Sequence, residues 1–181
     1  MPLGARRYPL GMVGRLPGLG LVCFLILATQ VFAASASGGS STRPHFDRAV
    51  IILERPAATP LAFTVELAVS EAQHRYGLMY SSPLPAMTGM LFIFDQAAPR
   101  RFWMKNTPIR LDILFFDASG GLLSFVPMAP PLSEAIIDSK GPARYVLEIA
   151  GGSAATLGIG LGARLALDPA GRLITAMPQE K

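Results

Sequence analysis

Two stretches of this sequence are apolar without alternation: Met90–Phe94 (MLFIF) and Leu111–Phe116 (LDILFF), the second interrupted only by Asp112. At five or six residues they are the length of strands rather than helices. Successive strand side chains point to opposite sides, so a strand apolar on both sides must be covered on both. Any fold for this chain needs at least two such sandwiched strands. The neighbouring segments supply them with partners. Phe63-Val65-Leu67-Val69 alternates with Thr64, Glu66 and Ala68, the period of a strand with one buried face. Ala49–Leu53, Phe102–Lys105, Tyr145–Ile149 and Ala163–Leu167 read as further short strands. Leu122–Val126 returns from a hairpin turn at Asp117–Gly121, and Arg172–Ala176 is a last candidate for pairing.

Helix signals are few. Ser70 followed by Gln73 is a capping box, Glu71 suits the positive helix start, and Gly77 is a natural stop. Ser153–Leu157 is a second possible turn of helix. Pro127, Pro130 and Pro131 predict a long irregular loop reaching to about Ala143. The sum is a mainly β chain: a compact, small sandwich or barrel of about seven to eight short strands with one or two short helices. No long helices alternate with the strands, so a doubly wound parallel sheet is not expected.

The net charge of +4 is unevenly placed. Arg6, Arg7 and Arg15 lie within the first 36 residues, which hold no acid, leaving thirteen basic and twelve acidic residues in 37–181. A nearly neutral body lacks the positive field of a general nucleic-acid binder. The three arginines precede an apolar run from Leu16 to Phe32, densest over Leu21–Ala28, and Val31-Phe32-Ala33 and Ala34-Ser35-Ala36 offer small residues for cleavage. Residues 1–36 therefore read as a signal peptide or N-terminal anchor, which predicts an exported protein of the periplasm or cell envelope. On this reading the membrane is touched only through that segment, if it is uncleaved. Residues 37–47, beginning SGGSS, form a flexible linker, 48–177 a single β domain, and 178–181 a tail. The only cysteine, Cys23, is in the leader, so disulfides, thiol catalysis and a cysteine zinc site are excluded from the body. His45 and His74 stand too far apart for a metal-ligand spacing, and no cofactor or metal is expected.

Five segments occur in fixed order: Gly77-Leu-Met79, Gly89-Met-Leu-Phe92, Phe102-Trp-Met-Lys-Asn-Thr107, Leu111-Asp-Ile-Leu-Phe115 and Val146-Leu-Glu148. Together they resemble the family called domain of unknown function 192, over roughly Phe63 to Leu167. The resemblance implies a small, mainly β domain of sandwich or barrel type, exported or membrane-associated, and it implies no particular activity. Many relatives carry a basic residue soon after the GLM segment, where this chain has Tyr80-Ser81.

The polar residues of these segments are the candidates for function. Asp112 shares a strand side with Leu114 and Phe116, and in apolar surroundings a carboxylate needs a cation or several hydrogen bonds. Lys105, Arg110 and the backbone after Pro108 are its nearest candidate partners in sequence. Trp103 and Lys105 share one strand side and could form an aromatic-and-cation wall. Asn106 suits either that wall or a turn. Met79, Met87, Met90 and Met104 read as core filling. The expected ligand pocket is thus Trp103, Lys105, Asn106 and Asp112, in a non-catalytic module that binds a small ligand or an envelope protein. The alternative is a hydrolase in which Asp112 and Glu148 act as acid and base, with or without a hard cation.

Overall fold

A computed structural model describes residues 42–176. The leader, the start of the linker and the 178–181 tail lie outside the described residues. Among the described residues no helix is long and apolar enough to cross a membrane.

The chain begins with a hairpin of β1 (Asp47–Arg55) and β2 (Ala58–Ala68), in which Ala49 faces Val65 and Ile51 faces Phe63. The capping box then starts α1 (Glu71–Tyr76). Gln73 N donates to Ser70 Oγ at 3.3 Å, and Ser70 N donates to Gln73 Oε1 at 2.9 Å. Gly77 ends the helix at φ 49°, a left-handed conformation that costs glycine little. The crossover leads into β3 (Thr88–Phe102), which lies parallel to β2. A second hairpin joins β4 (Leu111–Phe116) to β5 (Leu122–Ala129) around Asp117, whose Oδ1 accepts from Ser119 N and Gly121 N at 2.7 and 2.9 Å. Then follow β6 (Ile137–Ala150), α2 (Ser153–Thr156), β7 (Arg164–Leu165) and β8 (Thr175–Ala176).

These strands make one sheet in the order β5-β4-β6-β3-β2-β1-β7, with β8 also on β1. The sheet curls until its ends touch. Gly121 bridges Arg164, Leu122 N donates to Ala163 O, and Leu165 N donates to Gly120 O. The result is a half-closed barrel, within the class the sequence predicts.

The curl creates two apolar layers, which explains the strands with no polar side. Inside it pack Ile51, Phe63, Leu114, Phe116, Tyr145 and Leu147. On the outer side of β3, β4 and β6 pack Met90, Phe92, Ile113, Phe115 and Val146, covered by Leu78 after α1 and by Met104. Every residue of β4 is buried. Burying one large apolar side chain contributes about 1.5–3 kcal/mol, so the outer cover is a structural element in its own right.

Two expectations are corrected. Phe102–Lys105 is not a separate strand: β3 runs unbroken to Phe102, and Lys105-Asn106 forms a turn off the sheet. Asn106 adopts φ 56°, and Met104 N donates to Ser133 O rather than to a strand. The expected loop from Pro127 to Ala143 shrinks to residues 130–136: Pro127–Ala129 end β5, and β6 begins at Ile137. Pro127 is tolerated because β5 lies at one end of the strand order and its pairing is already irregular there. Pro99 and Pro142 face each other where β3 and β6 extend past their other neighbours, so their missing N–H groups interrupt no ladder.

Gly89 marks a close approach between β3 and β6. A Cβ there would lie 2.3 Å from Glu148 O. Gly89→Ala is expected to force the strands apart, at about 2–3 kcal/mol. Thermal unfolding checks this: Tm should fall by roughly 5–10 °C, and an unchanged Tm would contradict the close packing.

Candidate functional site

The two buried acids of the familiar segments point to opposite sides of the sheet. In the β4–β6 register Asp112 stands opposite Ile149, whereas Glu148 stands opposite Ile113. Ile149 belongs to the inner layer and Ile113 to the outer one. Facing residues of an antiparallel pair project to the same side, so Asp112 points inward and Glu148 outward. The paired-carboxylate reading is thereby corrected: two acids on opposite sides of a sheet cannot flank one scissile bond. Among the described residues, no three His, Cys, Asp or Glu side chains gather as metal ligands.

Asp112 is wholly buried and fully engaged with backbone. Its Oδ1 accepts from Met128 N at 2.8 Å and Gly152 N at 2.9 Å, and its Oδ2 accepts from Ala154 N at 2.7 Å. Gly152, the N-cap of α2, has no side chain to cap the helix, so Asp112 supplies the acceptor from across the sheet. It also fastens the end of β5. Neither Lys105 nor Arg110 answers it, as the sequence suggested; three N–H groups do.

Trp103, Lys105 and Asn106 do come together, without Asp112. They line a cleft of about 660 Å³ with Phe94, Arg100 and Phe102 among its other walls. The Lys105 ammonium lies 5.0 Å from the centre of the Trp103 ring, which is 44% exposed. The Arg100 guanidinium sits 3.8 Å above Phe94, and burial lowers its pKa from the ordinary arginine value. Phe102 anchors the cleft to the outer core, in edge-on contact with Phe92 at 5.0 Å and Phe115 at 5.7 Å. The turn is held in place by its backbone: Tyr80 N donates to Asn106 O at 2.8 Å, and Leu132 N to Thr107 O at 3.0 Å. Asn106 sends its Nδ2 towards Met79 Sδ, 3.8 Å away, rather than back to its own backbone.

Beneath this cleft a second cavity, of only about 40 Å³, is bounded by Trp103, Lys105, Met79, Thr107 and Glu148. The wall residues Trp103, Lys105 and Met79 are common to both spaces. Glu148 is 4% exposed. No donor among the described residues reaches its carboxyl group, and burial pushes its pKa up to about 8. Thr107, also buried, makes only a long 3.4 Å contact from its hydroxyl to Lys105 O. The GLM, WMKNT and VLE segments, dispersed in sequence, thus meet around one unpaired acid.

Sequence reasoning missed part of this wall. Arg100 and Arg101 fall in a stretch where no strand was read. His74 is half-buried, its Nε2 lying 2.9 Å from Ala68 O and 3.1 Å from Ile93 O. The adjacent arginines, so close to an apolar strand, were the available signal.

The model of the family DUF192, described as an uncharacterized ACR, matches residues 52–167. No curated protein matches the chain. Among solved structures, a protein of Sinorhizobium meliloti 1021, provisionally described as a transcription regulator, is similar with a TM-score of 0.66 and 39% identity. The match covers 68% of this chain and 95% of that one. A protein of unknown function from Novosphingobium aromaticivorans DSM 12444 is similar with a TM-score of 0.62 and 34% identity, over 65% of this chain and 83% of that one.

Proposed function

This chain belongs to the DUF192 family, and from that premise we propose that it is a non-catalytic binding module of the cell envelope whose cleft takes a small organic anion. The observation that carries this reading is the composition of the cleft. Lys105 and Arg100 bring positive charge, the exposed Trp103 ring offers flat apolar surface, and no acid lines the 660 Å³ space. A pocket of this size with a few convergent polar groups is where a small ligand binds most readily. An anion gains from the cations, and its apolar part gains from the exposed indole.

The leader and the family resemblance support export, with membrane contact only through the N-terminal segment. Fractionation of cells expressing the full chain tests that part, and retention in the cytoplasm would refute it. Nucleic acid is not the expected partner, because residues 37–181 are nearly neutral.

The cleft reading is tested by calorimetry of residues 37–181 with benzoate and related aromatic acids. Lys105→Ala and Trp103→Ala should each weaken binding about tenfold. Tm should barely move for Lys105→Ala, since the Lys105–Glu134 pair at 3.5 Å is solvent-exposed. Equal affinity in wild type and both variants would sink the proposal.

A further inference from the structure

Resting on that cleft reading, we infer that the small cavity below it is a hydroxyl-binding subsite, where Glu148 and Thr107 hold one hydroxyl group of a ligand whose anionic end meets the cations above. The ligand class is therefore a hydroxylated organic acid, such as a sugar acid.

Size comes first. About 40 Å³ has room for a group the size of a water molecule, which needs roughly 10–15 Å³ or more, and is far smaller than the cleft above. An apolar group of that size would leave the Glu148 carboxyl buried and without a partner, a costly arrangement. An ammonium group would meet the positive charge of Lys105 and Arg75, which line the same cavity. A hydroxyl group has neither problem. A neutral carboxyl presents one O–H donor beside one carbonyl acceptor, and a hydroxyl both accepts and donates. The charged and titratable groups around Glu148 are few. α1 brings His74, Arg75 and Tyr76, and the 103–107 turn brings Lys105. Arg75 is paired with Glu71 at 3.5 Å, Lys105 with Glu134 at 3.5 Å, and the His74 Nε2 is placed between two carbonyl oxygens. None of these groups gives Glu148 a hydrogen bond or an ion pair.

Three probes separate the subsite from the cleft: D-glucuronate (anion and hydroxyls), benzoate (anion without hydroxyl) and D-glucose (hydroxyls without anion). Calorimetry on residues 37–181 should find glucuronate bound about tenfold more tightly than benzoate, and glucose weakest. Glu148→Met, which suits the apolar walls, should bring glucuronate down to the benzoate level and leave benzoate unchanged. Glu148→Gln, with one donor and one acceptor, should keep glucuronate within about threefold of wild type. Wild-type affinity for glucuronate should fall as pH rises from 7 to 9, because an ionised Glu148 repels the anion; Glu148→Gln should lack that fall. If glucuronate binds no better than benzoate, or Glu148→Met leaves its advantage intact, the cavity holds only water and the subsite is refuted while the cleft stands. If neither anion binds, the cleft reading and the subsite fall together.

Discussion

Asp112→Ala is expected to lower the unfolding free energy by roughly 4 kcal/mol. The substitution strips the partners from three backbone N–H groups at once, those of Met128, Gly152 and Ala154. A donor left unpaired away from water costs about 1–3 kcal/mol; Ala154 is buried, whereas Met128 and Gly152 are partly exposed and sit at the lower end of that range. Water cannot readily replace the acceptor, because the position has no exposed surface. Asp112→Asn should be nearly as damaging: one oxygen survives, but the amide nitrogen meets an N–H group as donor against donor. Urea unfolding measures both variants. The cleft lies on the other side of the sheet, so whatever binds there should bind the folded Asp112→Asn variant with wild-type affinity. A loss of less than about 1 kcal/mol, within the range of ordinary surface substitutions, would show that these hydrogen bonds do not hold the fold.

Glu148→Gln is expected to stabilise the protein, and increasingly so as pH rises. Glutamate in the unfolded chain releases its proton near pH 4.5, whereas the buried Glu148 keeps it to about pH 8. Between these values the native state binds more protons than the unfolded state, so stability falls with rising pH. Over that window the loss is on the order of a few kcal/mol. Glutamine fills the same space and has no proton to lose. Thermal melts of both proteins from pH 4 to 9 should coincide near pH 4.5 and separate above it, with Glu148→Gln higher by roughly 5–10 °C at pH 8. Titrations shared by the two proteins cancel in this difference. Parallel melting curves at all pH values would mean that Glu148 is charged in the folded state.

The contrast between these acids shows where the sequence was legible. That Asp112 is buried followed from LDILFF alone, because an acid inside an all-apolar strand has nowhere else to go. What answers it could not be read. Its partners lie 16, 40 and 42 residues along the chain and use backbone N–H groups, which carry no residue signature. The capping box of α1 and the Asp117 hairpin were legible for the opposite reason: their hydrogen bonds are local and their residue types are dictated by them. Pairing register was illegible, and with it the fact that Asp112 and Glu148 face apart. A one-residue shift between β4 and β6 would have put them on the same side. Trp103, Lys105 and Asn106 were correctly grouped because they are near neighbours in sequence. Their environment was not, since it depends on a turn that leaves the sheet where a strand was expected. Pro127 misled for a related reason: it falls where the β4–β5 pairing is irregular at one end of the strand order, which sequence alone does not reveal.

An uncharged Glu148, in the small cavity beneath the cationic cleft, carries both the subsite and the pH dependence of stability. The direct measurement is a site-resolved titration of its side-chain carboxyl carbon by ¹³C NMR, assigned by its loss in Glu148→Gln. A midpoint near pH 8 is expected in the ligand-free protein. A midpoint between 4 and 5, where exposed glutamates titrate, would contradict it.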